Sequence, residues 1–394
     1  MLKKRRKPIK EMIRIELLPA LNGDCILVEY SSAHFIMIDG GYVDTYQNYL
    51  LPKLKEIAAR GGSLDLLVVT HIDSDHVSGI IKLLEEDELP IPIDSIWYNG
   101  YRHVQSNVKV TSDSELLVHK SICKEVLKEE NKPISAKQGC TLSALIMQKG
   151  ISWNKPANGG IIKAPFSIPI GDAIIHILSP NDSDIDDLNA FWKKRLIKDG
   201  LLSKAHSNEF WDDAFEFSLS KEKPGFHFHE KKVSKSYDLL KMTGEQYTPD
   251  TSATNGSSIS FVLEVDGKRV LFMGDAHSET IEESLELLYV KETKPYRFDV
   301  VKLSHHGSYN NNSPKLFSMI ACDKWLISTN GDTYNHPDMP ALAYIITQDT
   351  GRNKELYFNY RLPVCEELVK EEYHNDYQFE VIIPDGDNGV TITV

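Results

Sequence analysis

The sequence predicts an α/β chain in which two mixed β-sheets lie sandwiched between flanking helices. Three observations predict it. Strand signals fall into two groups, one over residues 13–39 and one beginning at Ser260, and after each opening group strands alternate with helices. Several apolar strands also stop directly at a histidine or aspartate, which brings polar groups to the strand ends rather than into the sheet interior.

Ile13, Ile15 and Leu17 alternate with polar positions, the period of a half-buried strand. Asn22-Gly23-Asp24 turns the chain, Cys25-Ile26-Leu27-Val28 begins a second strand, and Phe35-Ile36-Met37-Ile38 leads into Asp39-Gly40-Gly41. A helix is expected from about Thr45 to Arg60, stopped by Gly61-Gly62. Leu66 to Thr70 reads as a buried strand ending at His71, Val77 to Leu84 as a helix, and Ser95 to Asn99 as another strand.

Between 101 and 254 the pattern loosens, with helices expected near 113–130, 136–149 and 184–198 and a strand near 168–178. Residues 199–254 are rich in charges, histidines and aromatics with weak periodicity, and read as an insertion or lid within a single domain spanning 1–394. Regularity returns with Ser260 to Val265, a turn at Asp266-Gly267, and Arg269 to Met273 running up to Gly274-Asp275. A helix over about Ser278 to Tyr289 comes next, then Asp299 to Ser304 ending at His305-His306-Gly307. A helix near 314–320 and strands at Lys324 to Ser328 and Val390 to Val394 complete the chain.

The chain has 394 residues, of which 41% are hydrophobic and 26% charged, the proportions of an ordinary soluble protein. No apolar run approaches the roughly 20 residues of a membrane-spanning helix. Lys3 to Lys7 are basic, but Pro8, Lys10 and Glu11 leave no uninterrupted apolar segment after them, so a secretory signal is not expected and a cytoplasmic location is. Cys25, Cys123, Cys140, Cys322 and Cys365 are odd in number and form no CxxC pair, which argues against a disulfide framework and a thiolate zinc site. The formal charge of −13 weighs against indiscriminate nucleic-acid binding. It leaves a phosphodiester substrate open, because bound cations or a basic strip can dominate the local field.

His71-Ile72-Asp73-Ser74-Asp75-His76 places four potential ligands within six residues. Mixed imidazole and carboxylate donors suit zinc or manganese. Taken alone, the segment could equally be a polar loop capped by its aspartate. Asp275, His305 and His306 each follow an apolar strand as His71 does, and ligands at adjacent strand ends converge on one sheet edge.

These residues resemble the metallo-β-lactamase superfamily. His71 to His76 are similar to its HxHxDH loop, and Gly274-Asp275 to its later bridging aspartate. The resemblance is nearest to the soluble domain of ComEC-type competence proteins in standalone form. It is carried by Asn22-Gly23-Asp24-Cys25-Ile26, Ile38-Asp39-Gly40-Gly41, Thr70 to His76, Asn255-Gly256-Ser257-Ser258, Gly274-Asp275, Ser304-His305-His306-Gly307-Ser308, Asn335-His336-Pro337 and Asp385 to Val390. It implies an αββα sandwich with a long helical or irregular insertion, and two divalent cations.

In that resemblance His71, Asp73 and Asp275 would hold one metal, and Asp75, His76, Asp275 and one of His305 or His306 the other. Asp75 would also orient the attacking water, while His306 or His336 would protonate the leaving oxygen. Asp39 would steady a ligand imidazole, and Asn255 or Ser258 stands where many relatives have a histidine. That change, and Asp73 in place of a histidine, exchange nitrogen for oxygen, which favours manganese or magnesium beside zinc.

The implied activity is water activation by two metals, with DNA or RNA phosphodiesters as the first substrate class. A small ester, lactone, thioester or lactam is the alternative, and a non-catalytic recognition component of a larger assembly the third reading. His227-Phe228-His229 reads as an exposed loop. Trp192 with Lys193-Lys194-Arg195, and Lys231-Lys232 with Lys235, could track a phosphate backbone but could equally be solvated faces.

Overall fold

The computed structural model describes residues 13–104, 142–198 and 237–394. The expected helix near 113–130, the first part of that near 136–149, the basic amino-terminal segment, His227-Phe228-His229 and Lys231 to Lys235 lie outside these residues.

The first sheet contains β1 (Arg14–Leu17), β2 (Ile26–Ser31), β3 (His34–Ile38), β4 (Ser63–Val68), β5 (Ser95–Trp97) and β6 (Ser152–Trp153). The second contains β7 (Phe166–Ile170), β8 (Ala173–Ser179), β9 (Ser260–Val265), β10 (Lys268–Phe272), β11 (Tyr296–Lys302), β12 (Ile320–Ile327), β13 (Lys354–Phe358) and β14 (Phe379–Ile382). The final strand, β15 (Val390–Thr393), returns to the first sheet and pairs antiparallel with β1. The sheet orders are β15-β1-β2-β3-β4-β5-β6 and β14-β13-β12-β11-β10-β9-β8-β7.

Both sheets are mixed. β3, β4, β5 and β6 run parallel in the first, and β10 to β14 in the second, while hairpins open each. Facing side chains such as Ile15, Val28, Leu66, Ile175, Phe261 and Val270 form one buried cluster between the sheets. Leu54, Ile80 and Leu83 cover the other face of the first sheet, and Ile281, Leu285, Leu342 and Ile345 that of the second. Helix, sheet, sheet, helix is therefore the layer order, consistent with the metallo-β-lactamase fold.

Local sequence accounts for most elements and for the differences. The strand expected near 168–178 is a hairpin, because Gly171 takes φ +54° and breaks the run into β7 and β8. The helix expected from 184 begins at Asp182. Asn181 Oδ1 accepts from the Asp184 N–H at 3.0 Å while Asp184 Oδ2 accepts from the Asn181 N–H at 2.9 Å, a reciprocal cap that fixes the earlier start. The helix expected from Thr45 begins at Val43 and passes through a wider i→i+5 turn at Tyr46–Leu50 before Leu51–Ala59. Residues 237–254, expected to be irregular, include short helices at Leu239–Met242 and Ala253–Gly256.

Candidate metal centre

Parallel pairing places the carboxyl ends of β3 and β4 side by side, and likewise those of β10, β11 and β12. Each of these strands ends in a segment carrying polar groups: Asp39, Thr70-His71, Gly274-Asp275, Ser304-His305-His306 and Ser328. Asp75 and His76 come from the first turn of the helix Ser74–Glu85, which follows β4.

Their atoms meet around the buried carboxylate of Asp275. Its Oδ2 lies 3.4 Å from His76 Nε2, 3.6 Å from His306 Nε2, 3.7 Å from His71 Nε2 and 3.9 Å from His305 Nε2. Asp73 Oδ2 is 3.6 Å from His71 Nε2, and Asp75 Oδ2 is 3.9 Å from His306 Nε2. Four sets among the described residues have ligand atoms all within 4.8 Å of one another, among them His71, His76 and Asp275, and Asp75, His76 and His306.

The remaining nitrogen of each ring settles which form the imidazole takes. Thr70 Oγ1 donates to Asp39 Oδ2 at 2.7 Å, so toward His71 Nδ1, 3.0 Å away, it can only accept. His76 Nδ1 lies 2.7 Å from Asp39 Oδ2, His306 Nδ1 2.9 Å from the Ser328 carbonyl, and His305 Nδ1 2.8 Å from Asn311 Oδ1. Nδ1 of His76, His305 and His306 therefore faces an oxygen that only accepts, that of His71 lies between two hydroxyls, and all four rings turn Nε2 inward. Nε2 of His71, His76 and His306, with Asp275 Oδ1, is buried without a hydrogen-bond partner. Bare nitrogens and a carboxylate oxygen sealed together are costly unless a cation completes them. The donor set fits divalent metal ions.

The backbone is bent to achieve this. His305 (φ 44°) and His306 (φ 59°) are consecutive left-handed residues, a conformation disfavoured for side chains with a Cβ. The Asn312 amide holds the loop by donating to the carbonyls of Ser304 (2.8 Å) and Ser308 (2.7 Å). The His305 N–H reaches the Gly274 carbonyl at 2.9 Å, tying the loop to the segment that carries Asp275.

Charge in the site is tightly balanced. Burial alone would raise Asp275, but the imidazoles of His306, His76 and His305 outweigh it and hold the carboxyl well below its usual range. Burial pushes His306 down to about 3, against the opposing pull of Asp275 and Asp24. Burial raises Asp75 to about 6. Asp75 Oδ2 accepts from the Asn22 amide at 2.8 Å, and Asn22 Oδ1 in turn accepts from Tyr42 OH at 3.1 Å and Thr333 Oγ1 at 3.2 Å.

The other sequence candidates sit around this centre. Ser258 Oγ lies 3.2 Å from both His71 Nδ1 and the Asp275 N–H. Asn255 donates to Asp250 Oδ2 at 2.7 Å and stands 3.4 Å from His305 Nδ1. His336 is at the rim, its ring 5.4 Å from that of His305 and its Nδ1 3.2 Å from Asp338 Oδ1.

Four neighbours had no site role from the sequence, although Asp24 stands in one of the segments that carry the resemblance. Asp24 joins two groups of candidate ligand atoms, one with Asp275 and His306 and one with Asp39 and His76, yet it also forms a buried ion pair with Lys302. A lysine inside the apolar run Val300 to Leu303 was the signal for such a pair. Asp250 and Asn311 belong to no recognisable motif.

Residues 18–109 match the family model described as the Metallo-beta-lactamase superfamily. That span covers the loop from His71 to His76 but not Asp275, His305 or His306. No curated protein matches the chain. A solved structure from Parabacteroides distasonis ATCC 8503, described as a proposed metal-dependent hydrolase, is similar at 12% identity over 88% of this chain and 92% of that one, with a TM-score of 0.37. CmlA, a diiron β-hydroxylase from Streptomyces venezuelae, is similar at 9% identity over 99% of this chain but 55% of its own length, with a TM-score of 0.38. At this distance neither bears on the chemistry. No helix among the described residues is long and apolar enough to cross a membrane.

Proposed function

We propose that the chain, whose amino-terminal part carries the metallo-β-lactamase pattern, is a metal-dependent hydrolase of phosphodiester bonds, with DNA or RNA as the substrate class. One observation carries the hydrolase reading: the inward, partnerless Nε2 atoms of His71, His76 and His306 around Asp275. His71, Asp73 and Asp275 would hold one cation. Asp75, His76, Asp275 and His305 or His306 would hold the other. When bound, such a pair supplies Lewis acidity and makes water a nucleophile at neutral pH.

The protein's own groups then act on position and protons. Asp75, oriented by Asn22, accepts a hydrogen bond from the attacking water. His336, at the rim with the Asp338 carboxylate on its Nδ1, would give a proton from Nε2 to the leaving oxygen in its doubly protonated form. The imidazoles suit zinc or manganese, and the oxygen donors tilt the first site toward manganese or magnesium. The same reading treats 1–394 as one domain acting in the cytoplasm, with an insertion or lid inside 101–254, in its 199–254 part.

One observation favours the second reading, a small uncharged ester, lactone or lactam. Asp24, Asp39, Asp73, Asp75, Asp250 and Asp275 crowd the centre, while Lys302, which reaches this cluster, is paired with Asp24. Such surroundings attract a polyanion weakly. The test is a panel of single- and double-stranded nucleic acids beside ester and lactone substrates, each assayed with manganese, magnesium and zinc. Cleavage of nucleic acid that disappears in Asp75→Ala supports the proposal. A clean, metal-loaded preparation inactive on every nucleic acid overturns it.

A further inference from the structure

Asp250 lies at the end of the segment read from sequence as an insertion. The Ser252 N–H donates to its Oδ1 at 2.9 Å. Its Oδ2 is left to accept two side-chain amides, Asn255 Nδ2 at 2.7 Å and Asn311 Nδ2 at 2.9 Å. Asn311 Nδ2 also donates to the Asp275 carbonyl at 3.1 Å.

A side-chain amide can be placed two ways, and these contacts permit one. Rotating Asn311 by half a turn would set its oxygen against two acceptors, a carboxylate and a carbonyl. Asp250 and the Asp275 backbone therefore hold Nδ2 toward themselves and Oδ1 toward His305 Nδ1, 2.8 Å away. An amide oxygen only accepts, so His305 must carry its hydrogen on Nδ1. Asn255 Nδ2, at 3.4 Å, is too distant to compete with this shorter bond.

We infer that Asp250 is a positioning residue for the metal centre: through Asn311 it fixes the Nδ1–H form of His305 and so aims a bare Nε2 at Asp275. This rests on the reading of His305 as a metal ligand. The nearer histidines His76 and His306 take their acceptors from the sheet segments themselves, Asp39 and the Ser328 carbonyl. His305 is set by a residue brought in from 237–254, so this stretch contributes to the centre rather than merely covering it.

The test uses the full-length protein, stripped of metal and labelled with ¹⁵N-histidine, with the His305 signals assigned by their loss in H305Q. Long-range ¹H–¹⁵N spectra separate the two imidazole forms. Wild type should show His305 as Nδ1–H. D250N, equal in size to the native residue, and N311A should each give a mixture with the Nε2–H form. In titrations with manganese and with zinc, D250N should bind about 10- to 100-fold more weakly, the usual cost of losing a group that orients a ligand. An unchanged His305 form in both variants overturns the inference. If the form changes in D250N while wild type takes up no cation, the relay stands and the metal reading fails.

Discussion

Gly79 sits so close to Gly40 that a Cβ on Gly79 would lie 2.0 Å from the Gly40 carbonyl oxygen. The contact is locked by backbone bonds on either side, Gly40 N–H to the His76 carbonyl and Gly79 N–H to the Gly41 carbonyl, both 2.8 Å. The helix carrying Asp75 and His76 is thus pressed onto the loop carrying Asp39, and the 2.7 Å contact between Asp39 and His76 depends on that approach.

Gly79→Ala should therefore destabilise the fold by about 1–3 kcal/mol, as overpacking does, and shift the helix relative to Asp39. Thermal unfolding and metal content of the purified variant check this. Wild-type stability with full metal content would show that the backbone gives way harmlessly.

Asp275 faces four imidazoles, so Asp275→Asn should lose both cations while the sheets remain intact. Elemental analysis should find little bound metal, and circular dichroism should be unchanged. In wild type, removing metal with a chelator should lower the unfolding temperature. A cation present at about 100 times its Kd contributes about 2.7 kcal/mol. No change on chelation would mean that no metal was held.

Lys302 and Asp24 are both about 1% exposed, so neither charge has water to fall back on. Lys302→Met should cost about 3–5 kcal/mol by leaving Asp24 buried and unpaired. Adding Asp24→Asn should recover much of that loss. Denaturant titration of the two single variants and the double variant measures the coupling, and strict additivity would show that the pair does not act together.

His103 is buried against Trp153, with ring centroids 4.5 Å apart, and burial, aided by Arg102, pushes its pKa down to about 3. The unfolded chain takes up a proton near 6.5 and the folded one does not, so stability falls as pH drops from 6.5 toward 3. At pH 5 this contribution has cost about 2 kcal/mol relative to neutral pH. His103→Phe should flatten the difference in stability between about pH 7 and pH 5. Equal pH slopes in the two proteins would assign the effect to other groups.

Alternation and apolar runs mark where most strands and helices fall, because burial of one face leaves a period in the sequence. The termini are less legible: β4 begins at Ser63 and β11 at Tyr296, earlier than the apolar residues announce, since ladder bonds extend into polar positions. Between Ser328 and Val390 the sequence pattern announces no regular element, yet the helix Met339–Thr347, β13 and β14 lie there. Polar residues interrupt the pattern of β14, an edge strand with one covered flank.

By itself the sequence determined the residue types at the strand ends and the two-sheet layering, both of which follow from local apolar patterning. Only the tertiary structure decided which groups face one another. Parallel pairing aligned the strand ends, the left-handed turns at His305 and His306 swung both rings inward, and Asp24, Asp250, Asn311 and Lys302 arrived with contacts that no local pattern announces. Hydrogen bonds between residues far apart in the chain leave no period to read, and those bonds fix which nitrogen of each imidazole faces Asp275.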